Sequence, residues 1–255
     1  MLPEALLRAM TPTGERVLVA GASGDTGREI LSVLRPTDLT VRATTRSYSD
    51  TDRLERLGAD EVAVVDFFES ADAVRAVKDC DIVLCALGTP PSPRHVLGGK
   101  IVDRTGVINL VTAAVGAEVS HFVYQSAIGV GDSRGQLPRL GRLLIRGTLR
   151  GKQDAETAIR RSGLGYTIVR PGKLTNEPPS GEVLVGEGGD TLYGSIPRAD
   201  VARVMAVAPF TPEARNRTLE IASRDGLRGS PSGLVEVAWD YDRIGIEAGR
   251  ERIEP

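Results

Sequence analysis

Residues 16–34 read RVLVAGASGDTGREILSVL, and this stretch decides the fold. Arg16–Ala20 is a short apolar run rich in β-branched residues, the pattern of a buried strand. Gly21, Gly24 and Gly27 follow, and then Ile30, Leu31 and Leu34 recur at helical spacing. Strand, glycine turn and helix in this order form the context of a dinucleotide-binding turn. Gly21 lets the chain turn off the strand. Gly24 leaves room for a pyrophosphate against the backbone, and Gly27 lets the helix pack closely on the strand. The helix is expected to begin near Thr26, where free N–H groups and the positive end of the helix dipole favour an anion.

Further along, residues 39–44 form a second strand pattern that runs into Thr45, Arg46 and Ser47. In a dinucleotide fold, an acid about 20 residues beyond the glycines binds the ribose 2′-hydroxyl of NAD. Arg46 stands there instead, and residues 41–48 contain no carboxylate. A guanidinium pairs with a phosphate and cannot accept from a hydroxyl, so NADP is expected over NAD. Asp66 follows a third strand, where it either faces the adenine or caps the helix over residues 70–77. Gly88 ends a fourth strand and admits a cofactor close to the backbone; Pro90, Pro91, Pro93 and His95 follow it, with His95 read as a surface residue.

Residues 101–115 carry a broad apolar helical face, with Asn109 read as an exposed polar residue. Ser126 closes a fifth strand, at the strand end where chemistry is expected. Arg134, Arg139, Arg142, Arg146, Arg150 and Lys152 form a basic run, read as a solvated face. Lys152 and Glu156 are spaced for a helix-surface ion pair. A sixth strand ends in Arg170, Pro171 and Gly172, and the polar segment 176–189 is a candidate cover for a substrate. A last strand spans residues 219–222, and the tail from Leu234 looks helical.

Alternating strands and helices imply an α/β doubly wound parallel sheet, a Rossmann fold of about seven main strands, with a small C-terminal substrate-covering part. The 255 residues are expected to form a single NAD(P)-binding domain, with its core over about 15–222 and a helical tail over about 232–255. A net charge of −2 gives no sign of a nucleic-acid partner. Cys80 and Cys85 fit neither a disulfide framework nor a zinc pattern, and no metal site is expected. There is no apolar run of membrane-spanning length and no secretory pattern at the start, so a cytoplasmic protein is expected. Association between copies of the chain is left open.

VLVAGASGDTG, the strand-end TTRS, VLCALGT, FVYQSAIGV, K-x-x-x-E at Lys152, YTIVRPGKL and IPRADVA occur in this order. Together they resemble the atypical short-chain dehydrogenase/reductases, in the NAD(P)H-binding branch of NmrA-like proteins and flavin/biliverdin-IXβ reductases. The resemblance spans about residues 15–222. It implies a bound NADP, with Gly21, Ser23, Gly24, Asp25, Thr26 and Gly27 around the pyrophosphate and Arg46 at the 2′-phosphate. It places Asp66 near the adenine and Gly88 on the ribose side. Ser126 and Lys152, as catalytic candidates, stand with Pro171 and Gly172 at the nicotinamide end.

The larger family uses a Tyr-x-x-x-Lys pair, with the phenol as proton donor. Here Thr148 occupies the tyrosine position before Lys152, and its hydroxyl is too weak an acid for that work. The expected reaction is therefore hydride transfer from NADPH to a conjugated acceptor of the flavin or quinone class, which can take its proton from water. Ser126 would hydrogen-bond the carboxamide or acceptor, and Lys152 would hold the ribose hydroxyls. The alternative is a non-catalytic NADP(H)-binding redox sensor or scaffold of the NmrA-like kind.

Overall fold

The computed structural model describes residues 15–89, 101–133 and 146–246. Strand β1 (Arg16–Ala20) leads through the glycine turn into α1 (Asp25–Leu34), and β2 (Thr40–Thr45) follows. Next come α2 (Thr51–Arg56), β3 (Glu61–Val64), α3 (Ser70–Val77), β4 (Ile82–Cys85), α4 (Thr105–Gly116) and β5 (His121–Gln125). The rest comprises α5 (Arg146–Arg161), β6 (Gly165–Pro171), β7 (Lys173–Thr175), β8 (Val183–Glu187), β9 (Ser195–Pro197), α6 (Arg198–Val207) and β10 (Arg217–Ser223).

The main sheet has the order β3-β2-β1-β4-β5-β6-β10-β8. Its first seven strands are parallel, and β8 joins the edge antiparallel to β10. The expected Rossmann sheet of seven main strands is therefore present. A small parallel pair, β7 with β9, stands beyond β6. Residues 233–235 run along the outer margin of β8: Glu187 N donates to Gly233 O at 3.1 Å, and Val235 N to Val185 O at 2.9 Å.

Parallel strands buried on both faces need apolar residues at consecutive positions, and β1 supplies them. Val17 and Val19 face one core, with Ile30, Leu31 and Leu34 of α1 and Val201, Val204 and Met205 of α6. Leu18 and Ala20 face the other core, with Val77 of α3, Leu110 of α4 and Ile159 of α5. Cys80 and Cys85 are free, buried thiols, pushed by burial up to about 11 and about 12, so they behave as small apolar residues.

Two local expectations need correction. Asn109 is not merely exposed: its Nδ2 donates to Phe67 O at 2.9 Å and Phe68 O at 3.3 Å, fixing the loop after β3. The tail is not helical as far as it is described; it holds only a 3-10 turn, Tyr241–Ile244, and Ile244 and Ile246 are buried in the α1/α6 core. Pro90, Pro91, Pro93, His95, Arg134, Arg139 and Arg142 lie outside the described residues; Arg146 and Arg150 are exposed on α5. Among the described residues, no helix is long and apolar enough to cross a membrane.

Candidate functional site

The chain leaves β1 towards β2 and β3, then returns to β4 on the other side of β1. This is the topological switch point of the sheet, where open α/β folds bind ligands at the strand carboxyl ends. A cavity of about 460 Å³ lies there, and Gly21, Ser23, Gly24, Arg46, Asp66 and Gly88 all line it.

The three glycines have separate steric reasons. Gly21 has φ +86°, and a Cβ there would stand 2.9 Å from Ala86 O at the end of β4. A Cβ on Gly27 would stand 2.1 Å from Gly21 O, so the first turn of α1 butts directly against the strand end. Gly24 is the N-cap of α1 and supplies no side chain, which leaves the first-turn N–H groups uncapped by any side chain. The helix starts at Asp25, one residue before the expected Thr26, and Thr26 is buried. Asp25 turns its carboxylate aside, where Oδ1 accepts from Arg28 Nη2 at 2.6 Å.

The turn is also held from outside. Thr44 Oγ1 accepts from Gly21 N at 3.1 Å and donates to Val19 O at 3.3 Å, tying β2 to the glycine turn. Thr45 Oγ1 donates to Asp50 Oδ2 at 2.9 Å and accepts from Ser47 N at 3.2 Å, curling the chain after β2. Arg46 stands on that curl, exposed and without an ion-pair partner among the described residues. Asp66 does not cap α3. Its Oδ1 accepts from Phe68 N at 3.0 Å in a local turn on the cavity wall.

Ser126, Pro171 and Gly172 lie at the neighbouring ends of β5 and β6, with Lys152 inside α5 beside them, outside the wall of that cavity. Ser126 is buried, and its Oγ donates to Glu156 Oε1 at 2.6 Å. Glu156 also accepts from Arg170 Nε at 2.9 Å, Arg170 Nη2 at 2.8 Å and Arg160 Nη2 at 2.8 Å. Burial pushes the Glu156 carboxyl up, but its hydrogen bonds and the guanidiniums of Arg170 and Arg160 outweigh this and hold it below the usual range. Arg170 also pairs with Asp132.

The expected Lys152–Glu156 surface pair does not form, because both residues sit on the buried face of α5. Lys152 Nζ instead lies 3.1 Å from Asp103 Oδ1, donates to Gln125 O at 3.0 Å, and stands 5.2 Å from the centre of the Tyr124 ring. Asp103 is fully buried, and its Oδ2 accepts from Thr89 N at 2.8 Å, so the pair braces the cavity wall beside Gly88. Gly172 is required by a close crossing: a Cβ there would meet Gly194 O at 2.5 Å. Sequence reasoning missed Thr44, Asp103 and the Glu156–Arg170 pair. Only Asp103, ahead of a long apolar helix pattern, carried any local signal.

A family model described as NAD(P)H-binding matches residues 21–212. A chloroplastic protein of Arabidopsis thaliana is 37% identical over 224 residues, covering 82% of this chain and 77% of its own. A solved structure from Bacillus halodurans, assigned as an NAD-dependent epimerase/dehydratase, is 31% identical with a TM-score of 0.73, covering 86% of this chain and 96% of its own. ChuY, an anaerobilin reductase from Escherichia coli O157:H7, shares the fold at 21% identity and a TM-score of 0.73, covering 84% of this chain and 100% of its own. These comparisons overturn the expectation of a cytoplasmic protein. The Arabidopsis protein and several further relatives are chloroplastic, and lack of a secretory pattern does not separate cytosol from plastid.

Proposed function

This chain belongs to the NAD(P)H-binding family, and from that membership we propose that it is an NADPH-dependent oxidoreductase delivering hydride to a conjugated acceptor of the flavin or quinone class. The observation that carries the coenzyme choice is Arg46, a guanidinium on the cavity rim with no carboxylate to neutralise it among the described residues. An adenosine 2′-phosphate there would supply the missing anion. The backbone fits the rest of the coenzyme. Gly24 leaves the α1 amides open to a diphosphate, and a Cβ on Gly88 would find nothing nearer than Asp103 Oδ1 at 3.9 Å.

The bound coenzyme would supply hydride from its nicotinamide. The chain's contribution is to bind, orient and keep charge away from the reacting face. Lys152, matched by Asp103, positions the strand-end loop at Gly88–Thr89. The Ser126 hydroxyl donates its one hydrogen bond to Glu156, so towards a ligand its oxygen accepts hydrogen bonds. Among the described residues here, the Ser126 hydroxyl is already engaged and Pro171 and Gly172 carry no side-chain acid. The Tyr124 phenol, whose ring lies beside Lys152 Nζ, is fully buried, and burial raises it well above the usual tyrosine value. This supports an acceptor protonated by water and weighs against alcohol–ketone or sugar-epimerase chemistry, which needs a positioned acid or base.

The test is a panel of quinones, flavins, aldehydes and a nucleotide sugar, each with NADPH and NADH, following loss of reduced-nicotinamide absorbance. Oxidation of NADPH by a quinone or flavin alone is the expected result. Turnover of the nucleotide sugar overturns the acceptor class. Tight NADPH binding with no turnover across the panel supports the sensor reading instead.

A further inference from the structure

Two guanidiniums share one carboxylate at the head of α1. Arg28 Nη2 donates to Asp25 Oδ1 at 2.6 Å, while Arg28 Nη1 donates to Ser23 O at 2.7 Å, which fixes Arg28 to the glycine turn. From the other side comes Arg198, the first residue of α6, whose Nη2 lies 3.6 Å from Asp25 Oδ2. That separation is too long for a hydrogen bond, so only charge holds Arg198 to Asp25. Its Nη1 donates to Asn176 Oδ1 at 2.6 Å, at the start of the segment read as a substrate cover.

We propose that Arg198 is a ligand for the coenzyme diphosphate, parked on Asp25 until the nucleotide arrives and carrying Asn176 with it. The assignment rests on the NADPH reading given above. Three observations support it. One positive charge is in excess around Asp25, which adjoins Gly24 in the chain and so stands beside the uncapped amides of α1. The Arg198–Asp25 contact is long and partly exposed, at 22% and 52%, so solvent screens it and little is lost in breaking it. Asp25 keeps Arg28 when Arg198 leaves, so the exchange strands no charge.

A diphosphate bears more charge than a carboxylate and sits where the helix dipole also favours an anion, so it outcompetes Asp25 for Arg198. Asp25 then acts against coenzyme binding, as a competitor for the cation and a like charge near the phosphates. Because Arg198 also holds Asn176, coenzyme binding and the placing of segment 176–189 become one event.

The experiment titrates NADP and adenosine 2′-phosphate, which lacks the diphosphate, into wild-type protein and the variants Arg198→Met and Asp25→Asn by calorimetry, with thermal melting of each. Arg198→Met is expected to weaken NADP about ten-fold and to leave adenosine 2′-phosphate within about two-fold. Asp25→Asn is expected to tighten NADP several-fold. If Arg198 and Asp25 only pin α6 to α1, Asp25→Asn lowers the melting temperature and leaves NADP affinity equal or weaker, which overturns the assignment. Wild-type protein that binds adenosine 2′-phosphate, with no loss of NADP affinity in Arg198→Met, overturns the Arg198 assignment alone. Wild-type protein that binds neither ligand overturns the coenzyme reading and this assignment with it.

Discussion

At the β1–β2 end of the crevice, Arg46 holds its charge in solvent with no carboxylate to meet it among the described residues, and Arg198 meets Asp25 only at 3.6 Å. Around β5 and β6 the pattern reverses. Lys152 has Asp103, Arg160 has Glu156, and Arg170 has both Glu156 and Asp132. A cation left open is a receptor for an anion from outside, whereas one paired in the interior is part of the scaffold. The contrast is the ground for the proposal above, a phosphorylated coenzyme at the first end and an uncharged, planar partner at the second.

The comparison breaks most visibly at Arg170. Replacing it with Met leaves the buried Glu156 short of its main counter-ion and is expected to cost about 3–5 kcal/mol in chemical denaturation. A loss below about 1 kcal/mol would mean that this network is wet and open to ligands.

Acid is the next probe. His121, at the far end of β5, contacts Thr167 Oγ1 at 2.9 Å and Arg215 Nη1 at 3.2 Å. Burial, aided by Arg215, pushes it down to about 4. The unfolded chain takes up that proton near pH 6.5 and the native state only near 4. Its contribution is thus complete above about pH 6.5 and is lost as pH falls towards 4, by up to about 3 kcal/mol. The His121→Gln variant should show no such slope between those limits. A slope that survives would point to failing carboxylate pairs instead.

Arg46→Ala should weaken NADP about ten- to a hundred-fold and leave NAD unchanged in calorimetry, the loss of one charge-assisted contact. Equal weakening of both coenzymes would remove Arg46 from the phosphate. The smallest effect belongs to Arg150, exposed on α5: Arg150→Ala should shift stability by less than about 0.5 kcal/mol and leave coenzyme affinity unchanged.

The sheet and the glycine turn were legible because their signals are local. An apolar run, a glycine triplet and a helical period each lie within a few residues. The charge pairs were not, because their partners meet only in three dimensions: Asp103 comes from the turn before α4 and Lys152 from α5, and Arg170 on β6 reaches Glu156 on α5. Helical spacing suggested Lys152 with Glu156 on the assumption that both face water, yet α5 turns both inward. The tail misled for a related reason. Its apolar residues, Trp239, Ile244 and Ile246, pack onto the α1/α6 core without an α-helix to organise them.

The run at residues 233–235 has a consequence of its own. A β-sheet margin normally presents bare amides on which a stranger's chain can crystallise into a growing ribbon. Here Gly233 and Val235 occupy such positions along β8, and the Arg217–Glu187 and Arg224–Glu182 pairs flank them with charge. The protein thereby carries its own selvedge, and the C-terminal segment earns its place as a guard against fibrillar self-templating at this border.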